Sequence, residues 1–216
     1  NHGVYVQRLM EGCPIGQFYT YEWAGYDENG TSQYYVHDAN TGERTGETTI
    51  DPQDKDRTKV GSAQPKLTLG WNNTLTYNNW SLNMFFQGVF GNKVFNGLRA
   101  QGNAITMLSQ GKNVFVEALT EQRYGDVNSQ KPSDRYIENG SYLRLSSMTL
   151  TYRFGKIGDW VNNLSVYATC NNVFTLTSFK GTDPEVNLGG LTPGIVWRNN
   201  YYPRTRTFMV GMKVNF

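Results

Sequence analysis

The sequence predicts an all-β protein whose antiparallel strands run up and down in one sheet. The composition is rich in residues that favour strands and turns, with 14 Tyr, 11 Phe, 5 Trp and 23 Gly among 216 residues. Several segments alternate apolar and polar side chains, which is the period of a strand with one apolar face. The connections between them alternate along the chain between short and long. In an up-and-down sheet, this order places all short turns at one end.

The clearest element is a hairpin in the middle of the chain. The odd positions from Leu67 to Tyr77 are mostly apolar, and so are the even positions from Trp80 to Phe90. Only Asn78 and Asn79 separate these runs, and Asn tolerates the positive φ of a two-residue hairpin turn. We therefore predict two paired strands with these bounds.

Three further strands are predicted towards the C-terminus. They span about residues 142–154, 164–174 and 207–216. In the first of them, Leu143 and Leu145 alternate out of phase with Met148 and Leu150, which predicts a bulge near Ser146 and Ser147. A weaker pair lies upstream, and a short helix is expected in a long connection. These weaker elements are Phe18–Tyr26, Gln33–His37 and a helix around Ala104–Ser109.

The connections favour a membrane barrel over a soluble sheet. Those at about residues 38–65, 91–140 and 175–205 are long and polar, and loops beyond about 15 residues are uncommon in compact domains. Short periplasmic turns with long extracellular loops are typical of outer-membrane barrels, and a tilted strand crosses the hydrocarbon with about 9–11 residues. We expect the apolar stripes to face lipid. Arg153 and Lys213 should then face the lumen, because a charge facing lipid at the midplane costs about 2–4 kcal/mol.

Charge and motif content argue against several other functions. The net charge of +2 and the lack of a basic run do not favour nucleic-acid binding. The two His residues lie in no nucleophile motif, and we interpret Asp183 and Glu185 around Pro184 as a turn, so no enzyme is predicted. Cys13 and Cys170 form no CxxC motif, and two free thiols are favoured over one disulfide.

One acidic stretch partly matches the motif of a Ca²⁺-binding loop. The stretch "HDANTGERTGETTIDPQDKDR" contains Asp38, Asn40 and three later Asp residues. Glu43 and Arg44 break the spacing of a Ca²⁺ loop. No metal and no cofactor are predicted, with Ca²⁺ as the minor alternative to a solvated polar loop.

One aromatic and polar cluster in the last long connection is the candidate substrate site. Aromatic platforms with a few placed polar groups suit a sugar ligand. The alternative is an interfacial girdle or packing against a partner. The candidate residues are Trp197, Arg198, Asn199, Tyr201 and Tyr202.

Several stretches of the sequence closely resemble a known family. They include "EGCPIGQFYTYEWAGYDENG", "DRTKVGSAQPKLTLGWNN", "NGSYLRLSSMTLTYRF", "NNVFTLTSFKGTDPEV" and "YYPRTRTF". In these sequence segments and in their order, the chain resembles the C-terminal barrel of the SusC/RagA-like TonB-dependent outer-membrane transporters. The resemblance implies that residues 1–216 are the C-terminal part of a plugged, 22-stranded transmembrane barrel.

The resemblance also implies function and partners. Such a transporter lies in the outer membrane of a Gram-negative cell and imports oligosaccharides, or peptides in some members, together with a SusD-like surface lipoprotein. The plug, the first barrel strands and the contact with TonB belong to parts of the protein outside this chain. The last apolar stripe of the chain, which we call the closing stripe, resembles the signal that the barrel-assembly machinery recognises. It consists of Phe208, Val210, Met212, Val214 and Phe216.

Two alternatives remain open at this stage. A soluble carbohydrate-binding β-sandwich predicts a second sheet covering each apolar stripe, and a small passive barrel or adhesin predicts a sheet that closes on itself. The chain begins at Asn1 without Met or a signal peptide. We therefore expect a fragment or processed form of a longer protein.

Overall fold

The structure is a computed structural model that describes residues 5–121, 126, 128, 131–186, 189–196 and 202–216. In chain order the strands are β1 Gln17–Tyr21, β2 Trp23–Tyr26, β3 Ser32–His37, β4 Arg44–Thr49, β5 Arg57–Ser62, β6 Leu67–Tyr77, β7 Trp80–Phe90, β8 Lys93–Asn96, β9 Ile137–Asn139, β10 Tyr142–Ile157, β11 Val161–Thr177, β12 Ile195–Val196 and β13 Thr207–Asn215. The helices are α1 Gly97–Gly102 and α2 Val116–Glu121, with 3₁₀ turns at Asp54–Asp56, Ile105–Gln110 and Asp134–Tyr136. Among the described residues, no helix is long and apolar enough to span a membrane.

The chain divides into two compact units. The sheet unit comprises Lys66–Phe90, Ser141–Ser178 and Pro203–Phe216. The loop unit comprises Asn1–Pro65, Gly91–Gly140 and Phe179–Tyr202.

The sheet unit is one antiparallel sheet in the order β13-β11-β10-β7-β6. Strands β6 and β7 have the bounds that the sequence predicted, and Tyr77 pairs with Trp80 across the turn. Asn78 has a φ of 51°, as a two-residue hairpin requires. The all-β, up-and-down prediction is confirmed in this unit.

Strands β10 and β11 are longer than predicted. The sequence indicated a connection over residues 155–163, but Ile157 pairs with Val161 and only residues 158–160 form the turn. Strand β10 has a bulge at Gly155, where φ is 78°. The bulge interrupts the alternation of apolar and polar residues, which is why the sequence predicted that the strand ends there. The pairing with β11 nevertheless continues beyond the bulge. The turns at 78–79 and 158–160 define the short-turn end of the sheet.

The predicted bulge in β10 is confirmed at Ser146. Met148 pairs with Met84, and Leu145 then pairs with Phe86, so the register shifts by one residue between Leu145 and Ser147. Because one inserted residue restores the phase, Leu143 and Leu145 lie on the same face as Met148. The apolar face is therefore continuous across the bulge.

The loop unit is built from short pieces rather than from structureless loops. Its sheets have the orders β1-β5, β2-β3-β4 and β12-β8-β9. The prediction of one strand over Phe18–Tyr26 is wrong, because β1 ends at Tyr21 and pairs with β5, whereas β2 pairs with β3. Phe18, Ala63, Phe95 and Tyr136 are almost fully buried in the core of this unit.

Candidate functional site

The candidate functional site is the five-stranded sheet, which has two chemically different faces. On one face the strand register aligns an apolar row across all five strands. This row consists of Leu75, Leu82, Leu150, Ala168 and Val210. The adjacent row of Tyr77, Trp80, Tyr152, Val166 and Met212 is also apolar or aromatic. We call this surface the apolar face.

The apolar face is largely exposed. Trp71 and Leu75 are each 56% exposed, and Val210 is 81% exposed. Large exposed apolar patches mark surfaces that contact a partner or a membrane. A groove of about 420 Å³ lies on this face, with an almost wholly apolar lining. Its lining residues include Trp80, Leu150, Tyr152, Phe154, Val166, Ala168 and Val210.

The opposite face, which we call the polar face, is a network of amides and hydroxyls. Asn83 Nδ2 donates to Asn72 Oδ1 at 3.1 Å and to Thr74 Oγ1 at 2.8 Å. The hydroxyls of Thr149 and Thr169 lie 2.9 Å apart. These cross-strand hydrogen bonds stabilise the sheet. The face also exposes three large hydrophobic side chains, Phe85, Tyr167 and Met209, so it is mixed in character and far less apolar than the opposite face.

The charges of the polar face are all basic. Ser165 pairs with Arg153 in β10 and with Lys213 in β13, which places both cations opposite the apolar stripe as the sequence predicted. Arg144 is almost fully buried, and its Nε donates to Thr175 Oγ1 at 2.9 Å. None of the five strands contains Asp or Glu.

Aromatic side chains cluster near the short-turn end. Tyr77 is 77% exposed and Trp160 is 86% exposed. The Tyr152 ring lies 4.7 Å from the centroids of both Trp80 and Phe154. Amphipathic rings in such positions are typical of the girdles at membrane interfaces.

The last strand presents the closing stripe on the apolar face. Phe208 pairs with Cys170, and Met212 pairs with Val166. Phe208 and Met212 are more than 70% exposed, and Phe216 follows the end of β13 and is 86% exposed. Among the described strands, β13 pairs only with β11, so its other edge is open. Such an edge is a template for a further strand.

The candidate substrate cluster falls mostly outside the described residues. Trp197, Arg198, Asn199 and Tyr201 are not described. Tyr202 is described and is 82% exposed. The substrate role of this cluster therefore stays a prediction.

The loop unit contains a charged and aromatic cluster that sequence reasoning missed. Arg99 Nη2 donates to Glu117 Oε1 at 2.6 Å, and its Nη1 lies 3.3 Å from Glu138 Oε1. Arg135 Nη2 lies 3.7 Å from the same Glu117 oxygen. The Arg135 guanidinium also lies 4.6 Å from the Trp23 ring centroid. We call this group the arginine cluster.

Burial and charge shift the pKa values in and beside the arginine cluster. Burial raises the pKa of Tyr136 to about 12. Burial also raises the pKa of Asp134, although a hydrogen bond from the Trp23 backbone N–H to Asp134 opposes the shift. Burial alone would raise the pKa of Glu117, but hydrogen bonds from Arg99 and Asn103 and the nearby arginine charges together lower it. The cluster thus holds Glu117 as a carboxylate.

The acidic stretch in the upstream connection forms local turns. Asp38 Oδ1 accepts hydrogen bonds from the backbone N–H groups of Asn40 and Thr41, at 2.8 and 2.9 Å, and these bonds lower the pKa of Asp38. Over the described part of the chain, no three His, Cys, Asp or Glu side chains group as metal ligands. Ca²⁺ binding stays a minor prediction.

Two other sequence expectations concern Asp183, Glu185 and the cysteines. The Glu185 backbone N–H donates to Asp183 Oδ1 at 2.9 Å, which is a turn geometry. Cys13 and Cys170 are both free thiols.

Two curated proteins that are similar in sequence to this chain are both TonB-dependent receptors. No family model matches the chain. The chain is 29% identical to TonB-dependent receptor P3 of Formosa agariphila over 97% of its own length and 23% of that protein. It is 29% identical to TonB-dependent receptor SusC of Bacteroides thetaiotaomicron, over 98% of the chain and 20% of SusC. The chain thus spans about a fifth of the length of these curated relatives.

Solved structures agree with the curated relatives. The RagAB peptide importer in its closed-closed state superposes with a TM-score of 0.75 and 25% identity, over 93% of this chain and 23% of that one. A second structure of the RagAB peptide transporter gives a TM-score of 0.70 and 26% identity with the same coverage.

The fold and its two faces define a class of protein. An antiparallel up-and-down sheet with one exposed apolar face and one hydrophilic face is part of the wall of an outer-membrane type β-barrel. The five described strands of the sheet do not close into a barrel. More particularly, the chain is a homologue of the SusC/RagA-like TonB-dependent receptors.

Proposed function

We propose that residues 1–216 form the C-terminal part of the 22-stranded barrel of a TonB-dependent outer-membrane importer. The observation that supports this most is the pair of opposed faces, with apolar side chains such as Leu75 and Val210 exposed on one side and a hydrogen-bonded amide and hydroxyl surface on the other. In a bilayer, the first face contacts acyl chains and the second lines a hydrated lumen. The short-turn end is then periplasmic.

The remaining partners follow from this placement. The polar face contacts a plug supplied by the rest of the protein, which also provides the contact with the TonB complex. A SusD-like lipoprotein covers the extracellular side. The open edge of β13 pairs with the first barrel strand, because an unpaired edge in a bilayer leaves backbone groups without hydrogen bonds.

The proposed cargo is an oligosaccharide. Exposed aromatic rings beside amides suit the apolar faces and hydroxyls of sugars, and Tyr202 at the end of the candidate cluster is exposed. A peptide cargo is the second candidate, because the two similar RagAB structures are those of a peptide importer or transporter.

An uptake assay separates the two cargo classes. The full-length receptor is expressed with its lipoprotein, and uptake of labelled oligosaccharides and labelled peptides is compared in cells with and without TonB. We expect TonB-dependent uptake of oligosaccharides. Uptake of peptides alone would replace the first cargo with the second, and TonB-independent uptake of both would contradict the proposed importer.

The candidate substrate cluster is tested by Trp197→Ala in the same cells. We expect weaker uptake with an unchanged amount of assembled barrel, measured as the heat-modifiable band of the receptor on gels. Parallel loss of uptake and of assembled barrel would assign Trp197 to folding instead of cargo binding.

The closing stripe is tested by two substitutions at Phe216. If its terminal aromatic ring is the assembly signal, Phe216→Ala lowers the amount of assembled barrel, whereas Phe216→Trp preserves it. Equal assembly of both variants would show that the ring is not the signal.

A further inference from the structure

The charges of this chain are segregated between its two units. The sheet unit contains seven Lys and Arg residues and one acidic residue, Asp159, which gives a net charge of +6. The loop unit contains the other 13 basic and 17 acidic residues, for a net charge of −4. Asp159 lies in the short turn 158–160, and its Oδ1 lies 3.7 Å from Lys156 Nζ. The sheet unit therefore has more cations than its own carboxylates can neutralise.

Two of these cations, which we call the basic pair, share one row of the polar face. Arg153 in β10 and Lys213 in β13 both pair with Ser165 of the strand between them, and both are exposed. Neighbouring strands lie about 4.7–4.9 Å apart, so the Cα atoms of the basic pair are separated by roughly 10 Å. The long side chains of Arg and Lys can therefore converge on a single acidic group.

The basic pair lies near the short-turn end of the sheet. The Arg153 backbone N–H donates to the carbonyl of Asn79, in the turn between β6 and β7, at 2.9 Å. Towards the middle of the sheet, the next row of the polar face contains Tyr167 and Gly211. A Cβ at Gly211 would come within 2.5 Å of the Tyr167 ring, so this ring lies over the Gly211 backbone. The basic pair is thus bounded by an aromatic ring on one side and by the turns on the other.

The basic pair has no acidic partner in the sheet. Among the residues that the structure describes, no carboxylate forms an ion pair with Arg153 or Lys213. Arg144, a further cation of this face, is instead buried and donates to Thr175. Strand β10 has β7 and β11 on its two sides, and none of the five strands contains Asp or Glu. A carboxylate that pairs with Arg153 must therefore come from in front of the polar face and not from an adjacent strand.

We propose that the basic pair binds an Asp or Glu side chain of the plug. The inference rests on the proposed function, in which the polar face contacts a plug supplied by the rest of the protein. A plug that covers Arg153 and Lys213 removes water from them, and a desolvated cation without a counter-charge is costly. A carboxylate between them accepts two parallel hydrogen bonds from the guanidinium and a further one from the ammonium. The plug surface at this position is therefore acidic, complementary in charge to the basic wall.

A zero-length cross-linking experiment identifies the partner. The full-length receptor in outer membranes is treated with a water-soluble carbodiimide, which activates a carboxylate and joins it to an adjacent amine as an amide, with loss of a urea. We expect mass spectrometry to find the Lys213 peptide joined to an Asp or Glu of the plug. Lys213→Arg keeps the charge but has no reactive amine, so this cross-link should disappear while the heat-modifiable band remains. Arg153→Lys should add a second cross-link to the same plug segment.

Hydrogen–deuterium exchange of the plug measures what the contact contributes. In the double variant Arg153→Gln, Lys213→Gln, the cross-linked plug segment should exchange about tenfold faster, which corresponds to about 1.4 kcal/mol. Changing the cross-linked plug carboxylate to its amide should accelerate exchange similarly in the wild type but not in the double variant, because the same contact is already lost. Lys156→Gln is the matched control, since Lys156 lies beside Asp159, and it should leave the exchange unchanged.

Several results would overturn the inference. An assembled receptor in which Lys213 is joined to no plug residue, or only to a barrel strand or to the lipoprotein, excludes the plug as the partner. Unchanged exchange in the double Gln variant would show that the two cations are merely solvated. If the wild-type receptor gives no heat-modifiable band, the proposed function itself fails. An assembled barrel whose plug does not contact the basic pair refutes only this inference.

Discussion

At the scale of single residues, the Arg135 side chain contacts three aromatic rings and a carboxylate of the loop unit. Its guanidinium lies 4.6, 5.2 and 5.4 Å from the ring centroids of Trp23, Tyr26 and Tyr136, and it also contacts Glu117. The side chain is only 6% exposed. Desolvated cation–π contacts are stronger than exposed ones. Arg135 therefore joins residues from distant parts of the sequence.

Arg135→Ala should lower the free energy of local opening of the loop unit by about 2 kcal/mol, because it removes a desolvated cation from aromatic faces and leaves Glu117 with fewer partners. Hydrogen–deuterium exchange of the full-length receptor measures this opening. Arg135→Lys retains the charge but loses the planar contact, so it should give an intermediate loss. Unchanged protection in the Ala variant would show that the cluster does not stabilise the unit.

The lowered pKa of Glu117 predicts a pH dependence. Because its pKa in the folded protein lies below the unfolded value, its stabilising effect is present above the unfolded pKa and is lost as the pH falls through the folded pKa. Protection of the backbone around α2 should therefore decrease in acid, below about pH 4. In Glu117→Gln the decrease should disappear, and an identical acid response of that variant would assign the effect to another group.

At the scale of secondary-structure elements, bulges keep the apolar face continuous through β10 and β11. Ser146 shifts the register of β10, and Asn172 adopts a positive φ where β11 is irregular. Asn172→Val should destabilise the assembled barrel by about 1–2 kcal/mol, since a left-handed conformation costs that much for most residues. The temperature at which the heat-modifiable band unfolds measures this loss.

Asn172→Gly separates the two roles of this residue. Gly accepts the positive φ but cannot donate to the Arg204 carbonyl, so this variant should retain barrel stability better than Asn172→Val. A Gly variant as unstable as the Val variant would assign the loss to the side-chain hydrogen bond.

Neighbouring positions of β6 provide a matched test of the two faces. Leu75 lies on the apolar face and Thr74 on the polar face, where it accepts a hydrogen bond from Asn83. Leu75→Arg should destabilise the barrel by about 2–4 kcal/mol near the bilayer midplane. Thr74→Arg should cost much less, because its charge enters the hydrated lumen. Equal effects on thermal stability would contradict the assignment of the faces.

The elements that could be predicted from sequence are those with strong alternation. Strands β6 and β7 have eleven-residue patterns and an Asn-Asn turn, and the structure has the predicted bounds. Strand β4, with the sequence RTGETT, has no apolar residue and gives no such pattern. Its pairing with β3 depends on partners elsewhere in the chain. Short strands of this kind are determined by tertiary contacts, which a local pattern does not contain.

At the scale of the whole molecule, the sheet was predictable and the arginine cluster was not. Strands β6, β7 and β13 each follow one local period, and their apolar stripes follow from that period alone, whereas the phase of β10 shifts at Ser146. The cluster brings together Arg99, Glu117 and Arg135, which lie far apart in the sequence within a long connection. No spacing rule relates these residues. The position of the arginine cluster depends on how α1, α2 and the 3₁₀ turn Asp134–Tyr136 pack in the loop unit.

The segregation of charge is also a property of the whole chain. The sheet unit has a net charge of +6 and the loop unit has a net charge of −4, which together give the net charge of +2 of the chain. The five strands of the sheet contain no Asp or Glu on either face, so their only charges are basic.

A cysteine scan along β6 tests the central claim most directly. Single cysteines replace each residue from Leu67 to Tyr77 in the full-length receptor depleted of its natural cysteines, which include Cys13 and Cys170. Each variant is labelled in intact outer membranes with a water-soluble maleimide or a lipid-soluble one. The account predicts labelling that alternates with a period of two, with odd positions reached from lipid and even positions from water. Odd positions that are protected from both reagents would show that the apolar face is buried against protein, and the barrel assignment would be wrong.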